Sequence, residues 1–184
     1  MFKLTTSKIS VRQLCLCAIF VAIMTVCSWI SIPTSVPFTL QTFGVFLTIG
    51  LLGGKLGTIS VLVFVLLGAI GIPVFSGFTG GFGIIIGTTG GYIVGFIFSA
   101  LIMWLIQKIF GDKLIIQIIS MAAGLLVCYL FGTVWFMAVY THNTGAIGLS
   151  AVLGWCVVPF VIPDIVKIAC AVIIVNRLKK YVHV

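Results

Sequence analysis

The chain has no glutamate, and Asp112 and Asp164 are its only acids. Its two histidines, His142 and His183, lie far apart in the sequence. This poverty of ionisable groups excludes several kinds of chemistry. No Ser/His/Asp arrangement is visible, and two distant histidines supply neither a metal cluster nor a general base. None of the six cysteines has metal-ligand spacing with a histidine, and Cys15 and Cys17 would project from different faces of a helix. They read as small buried hydrophobes, with neither a disulfide framework nor a metal site. The segment GLLGGKLG imitates a phosphate loop and fails. Lys55 is followed by Leu56, and Ile49 holds the first-glycine position. The expectation is therefore no enzyme and no cofactor.

Charge of either sign is scarce. Charged residues are 7% of the chain, against about 25% in a soluble domain. Apolar runs take their place: Leu14 to Ile32, Phe38 to Gly54, Leu56 to Gln107 and Leu114 to Pro163. A membrane span needs about 20 apolar residues, so the two longest runs must each fold back. The predicted fold class is an all-α, polytopic membrane protein with six transmembrane helices. The spans are about 12–31, 39–53, 57–71, 91–108, 114–140 and 159–176, in a single membrane domain over 1–184. The runs are continuous rather than alternating, which excludes a membrane barrel. The first run is as long as a full span and more spans follow, so it reads as a span and not as a cleaved leader.

Lys3, Lys8, Arg12, Lys55, Lys108, Lys113, Arg177, Lys179 and Lys180 fall in four segments that six spans place on one side. The positive-inside rule makes that side, and both termini, cytoplasmic. The expectation is a multi-pass protein of the cytoplasmic (plasma) membrane. The net charge of +8 is thus a topology signal. It forms no basic patch with interleaved aromatics, so no nucleic acid is expected as a partner. Asp112 on the inner side and Asp164 toward the outer one cannot form a catalytic pair.

Lys167 breaks the pattern. It lies 12 residues before Lys179, or about 18 Å along a helix. That puts it roughly 10 Å below the outer surface of a ~30 Å core. Asp164 and Lys167 share a helix face, and charges at that depth are rare and normally paired. Asp164 also reads as an acid near a helix N-terminus, a structural role that leaves Lys167 unexplained. Together they point to a ligand site. Lys167 suits a carboxylate or phosphate, Asp164 suits N–H donors, and the two groups address either opposite ends of a ligand or one shared end. Gln41, Thr42, Thr79, Thr88, Thr89 and Tyr92 are polar candidates from the same outer half. The glycine-dense stretch 72–91 reads either as a loop close to a ligand or as helix packing through Gly83, Gly87, Gly91 and Gly95. Ala18 and Ala22, one turn apart, make a small-residue face. His142 reads as a loop residue.

The segments PFTLQT (37–42), LGAIGIPVF (67–75), GGY (90–92) and D-x-x-K (164–167), in order and correctly spaced, resemble the BioY family, the biotin-binding S components of energy-coupling factor (ECF) transporters. The resemblance covers most of residues 12–176. It implies a six-helix protein that captures biotin as a transported ligand from outside. Delivery is by docking on a separate module of one transmembrane coupling protein and two ATPases. It assigns Asp164 and Lys167 to the substrate site, with Gln41, Tyr92 and Thr79 at matching site-forming positions. It assigns Ala18 and Ala22 to the interface with the coupling protein. Ile93 stands where some members carry arginine, so no arginine clamp is expected. The rival readings are a self-sufficient carrier or channel for another small organic anion, a lipid-acting membrane enzyme, and a scaffold pinned by the charge pair.

Overall fold

The structure, a computed structural model, describes residues 10–34 and 36–182. Lys3, Lys8 and His183 lie outside the described residues. Helix α1 (Val11–Trp29) opens on a capping box in which Ser10 and Gln13 satisfy each other's backbone N–H groups. A two-residue antiparallel pair follows, β1 (Ser31–Ile32) with β2 (Phe38–Thr39), in the register Ser31↔Thr39 and Ile32↔Phe38. Pro33 and Pro37 sit between the strands. A donor-less residue would interrupt a ladder, so that is where they fit.

The remaining helices are α2 (Gln41–Ala69), α3 (Phe82–Ile86), α4 (Gly90–Phe110), α5 (Leu114–Asn143), α6 (Leu149–Cys156) and α7 (Val158–Leu178). A 3-10 turn, Ser76–Phe78, precedes α3. Five stretches are long and apolar enough to cross a membrane: α1, α2, α4, α5, and α6–α7 taken together as Leu149–Leu178. The sequence places two spans where α2 runs, and α2 is interrupted at Gly53, which has φ 73 and ψ 168. A Cβ built on Gly57 would lie 2.7 Å from the Ile49 Cα. Residues eight apart in a straight helix are about 12 Å apart, so the chain reverses at Gly53 and its arms, 41–52 and 54–69, lie side by side.

Two elements and the place of Asp164 differ from expectation. Helix α5 extends to Asn143, so His142 lies in its last turn and not in a loop. Helix α6 was not foreseen; Val157 (φ −124, ψ −58) separates it from α7. Helix α7 starts at Val158, with Pro159 in its first turn, so Asp164 lies beyond that turn and no acid caps the helix. The macrodipole acts only within the first turn, which removes the N-terminal role for Asp164.

Between helices in lipid the hydrophobic effect is weak, and close approach of small residues replaces it. A Cβ on Gly91 would meet the Trp135 Cβ at 2.2 Å, and one on Gly132 would meet the Tyr92 ring at 2.2 Å. Gly95 lies against Cys128, whereas Gly83 has open space. The glycine-dense stretch therefore divides: its C-terminal glycines pack α4 on α5, and its N-terminal part is irregular. Phe46, Ile49, Phe64, Phe75, Met24, Met103, Met121 and Val175 are fully buried between the helices. Leu126, Leu130, Val134 and Ile162 face outward.

The two ends of the bundle differ. Gly54 approaches Trp104, Gly50 approaches Val175, and Lys179 pairs with Asp112. These contacts gather Lys55, Lys108, Lys113, Arg177, Lys179 and Lys180 at one end. The other end holds the β-pair, the 72–89 segment and the N-terminal part of α7, joined by stacking of Phe38 on Phe160 (5.5 Å) and by donation from Trp29 Nε1 to the Pro73 carbonyl (2.8 Å).

Candidate substrate site

Asp164 and Lys167 project from one face of α7 and are buried, 1% and 6% exposed. Lys167 Nζ donates to Asp164 Oδ1 at 2.7 Å. It also donates to the Thr39 carbonyl at 2.7 Å and to Thr42 Oγ1 at 3.1 Å. The Phe38 ring lies 4.7 Å from the ammonium. Thr42 Oγ1 in turn donates to Asp164 Oδ1 at 2.9 Å, and the Tyr129 hydroxyl donates to Asp164 Oδ2. Four elements thus converge: β2 and the start of α2, Tyr129 from mid-α5, and α7. A buried charge pair is tolerable only when its remaining donors and acceptors are satisfied, and here the chain supplies most of them.

A cavity opens beside the pair, lined by Asp164, Lys167, Gln41, Thr42, Tyr92 and Tyr129, with Phe75, Phe96 and Phe160 among its apolar walls. Gln41 is 5% exposed, and its Nε2 has no hydrogen-bond partner among the described residues. A buried donor left unmade is costly unless something outside the chain accepts from it. Tyr92 packs on Gly132, its hydroxyl 3.4 Å from Thr133 Oγ1.

Of the expected site residues, Asp164, Lys167, Gln41 and Tyr92 come together at the cavity. Thr79 does not. It is exposed, its hydroxyl donates to the Ser76 carbonyl (2.9 Å), and Ser76 lines the cavity in its place. Lys167 Nζ and Asp164 Oδ1 lie 2.7 Å apart, so the two charges sit side by side in the cavity wall. Tyr129 was missed. Its signal was a phenol in mid-span, well away from the interfaces where tyrosine usually sits. Ala18 and Ala22 are exposed rather than packed internally, and line a shallow apolar groove between α1 and the second arm of α2. Cys15 and Cys170 are exposed, the other four cysteines are buried, and all six are free thiols.

A multi-pass helical membrane protein with a mostly apolar cavity, fixed by a buried ion pair near one end, belongs to the class of small-molecule binders built within the bilayer. The family model for the BioY family matches residues 3–184, and the chain belongs to that family. It is 43% identical over 170 residues to the biotin transporter BioY of Thermotoga maritima, covering 92% of this chain and 96% of that one. It is 42% identical over 169 residues to the probable biotin transporter BioY of Pyrococcus horikoshii, covering 91% and 96%. Among solved structures it is similar to the S-component for biotin from an ECF-type ABC transporter, with a TM-score of 0.82, 30% identity and 92% of each chain covered.

Proposed function

We propose that this chain is the substrate-binding S component of an ECF transporter. On this reading it captures biotin with high affinity and works no chemistry on it. The observation that carries the reading is the buried Asp164–Lys167 pair lining a cavity in which the Gln41 amide lacks a partner. Biotin has a ureido ring with N–H and C=O groups and an aliphatic body suited to the apolar wall. The names borne by the relatives agree with this. Asp164, Lys167, Gln41 and Tyr92 form the site.

The six crossings, with both termini at the cytoplasmic face of the plasma membrane and one domain throughout, are supported by the reversal at Gly53 and by the basic residues at one end. The cavity then opens toward the exterior. Energy comes from a separate module of one transmembrane coupling protein and two ATPases. Ala18 and Ala22 offer that coupling protein a small-residue face on α1.

Isothermal titration of the detergent-purified chain tests the reading. Biotin is expected to bind tightly, desthiobiotin to bind because it keeps the cyclic urea, and a vitamin of another chemical class not to bind. No heat on biotin addition to folded protein overturns it. Uptake by liposomes holding this chain alone would instead favour a self-sufficient carrier.

A further inference from the structure

We infer that Trp29 is a positioning residue for the cavity wall: its indole latches the 75–79 turn against the bundle, and loss of that latch lets a bound ligand escape. This rests on the biotin reading. Two residues of the turn, Phe75 and Ser76, line the cavity. The Phe75 N–H donates to the Thr79 carbonyl at 3.0 Å, and the Thr79 hydroxyl donates to the Ser76 carbonyl at 2.9 Å, so the turn is closed on itself. Its inner anchor is Phe75, which is 1% exposed. The Phe75 ring lies edge-on to Phe64 at 5.7 Å and fills the space that a Cβ on Gly68 would need. Trp29 supplies the outer anchor. Its Nε1 donates to the Pro73 carbonyl (2.8 Å), before the lining residues, and its ring stacks on Phe78 (centroids 4.7 Å apart, 29° between planes), after them. Helix α1 thus grips the segment on both sides of Phe75 and Ser76.

The backbone of Phe78 distinguishes this grip from an ordinary aromatic contact. Gly77 (φ 69) and Phe78 (φ 57) are consecutive left-handed residues, and Phe78 is the one non-glycine with positive φ among the described residues. Turns with two such residues usually carry Gly, Asn or Asp, because a larger side chain crowds the following carbonyl. A bulky residue persists there only where its surroundings impose it, and such outliers cluster at ligand clamps and switches. Burial does not impose it here, since Phe78 is 65% exposed; its stacking partner is Trp29. Without the stack, the backbone at Phe78 relaxes to negative φ and draws Ser76 away from the cavity, with Phe75 as the fixed end. The latch belongs to the closed, ligand-holding state. Its loss therefore speeds release and leaves encounter nearly unchanged.

The test measures biotin association and dissociation on the detergent-purified chain and three variants. Trp29→Leu removes both grips, and Phe78→Gly removes the stack and the strain together. Each is expected to release biotin more than about tenfold faster, with association changed less than about threefold. Phe78→Tyr keeps the ring and is expected to release biotin within about threefold of the wild-type rate. A purely structural role would instead lower the melting temperature of the ligand-free protein and leave release as it was. Release from folded Trp29→Leu or Phe78→Gly that is less than about tenfold faster overturns the inference. So does a loss of affinity carried by slower association, or a Phe78→Tyr variant that releases biotin as fast as Phe78→Gly. If Trp29→Leu does not fold, Phe78→Gly decides alone, because its side chain is exposed. If the wild-type chain does not bind biotin, the functional reading fails first, so the two failures are distinguishable.

Discussion

Thr42 ties the two charges together, accepting from Lys167 at 3.1 Å and donating to Asp164 at 2.9 Å. Replacement by the near-isostere valine leaves both charges one partner short. Thr42→Val should therefore cost about 1–3 kcal/mol, read as a lower melting temperature in detergent, with Thr42→Ser close to wild type. Tyr129→Phe keeps the ring and removes the donor to Asp164 Oδ2. It should fold and bind biotin less tightly by about tenfold, as expected for one lost charge-assisted hydrogen bond; unchanged affinity would show that this donor does not orient the carboxylate. At this scale the sequence exposed Asp164 and Lys167 plainly, because a charge within an apolar run is costly and seldom stands there without a partner or a task. It hid Tyr129, which resembles its apolar neighbours until the bundle turns it toward Asp164. Thr79 shows the converse: being close in the chain to the cavity does not aim a side chain into it.

Helix packing depends on a few glycines. Gly91→Ala forces a Cβ into the Trp135 side chain and should cost about 1–3 kcal/mol, whereas Gly83→Ala meets nothing within 4 Å and should leave stability within about 0.5 kcal/mol of wild type. Thermal unfolding of the two variants side by side checks this, and equal losses would contradict the packing described. Hydropathy revealed the long apolar helices because lipid demands continuous apolar length, and GGKLG contains Gly53, where α2 reverses. Hydropathy could not reveal the break between α6 and α7, since Leu149–Leu178 stays apolar across it and only the backbone of Val157 changes. Strands of two residues, such as β1 and β2, are too short to leave a pattern.

Across the whole molecule, Lys55, Lys108, Lys113, Arg177, Lys179 and Lys180 gather at one end, while the cavity is lined by residues of the β-pair, the 72–89 segment and the N-terminal part of α7 at the other, so the two ends of the bundle differ in charge. An epitope inserted in the 144–148 connection should be reachable from outside intact cells, while one at the C-terminus should require permeabilisation; the reverse pattern would invert the proposed orientation. The ion pair either serves the ligand or merely pins the helices, and one comparison separates these roles. Losing one partner of a buried pair costs about 3–5 kcal/mol, whereas replacing both with apolar residues is often neutral. The most direct measurement is therefore biotin titration of the double variant Asp164→Leu, Lys167→Met, alongside its melting temperature. The expected result is a folded protein, no less stable than Lys167→Met alone, whose biotin affinity has fallen more than about a hundredfold. A double variant that binds biotin as tightly as wild type would contradict the assignment of this pair to the substrate site.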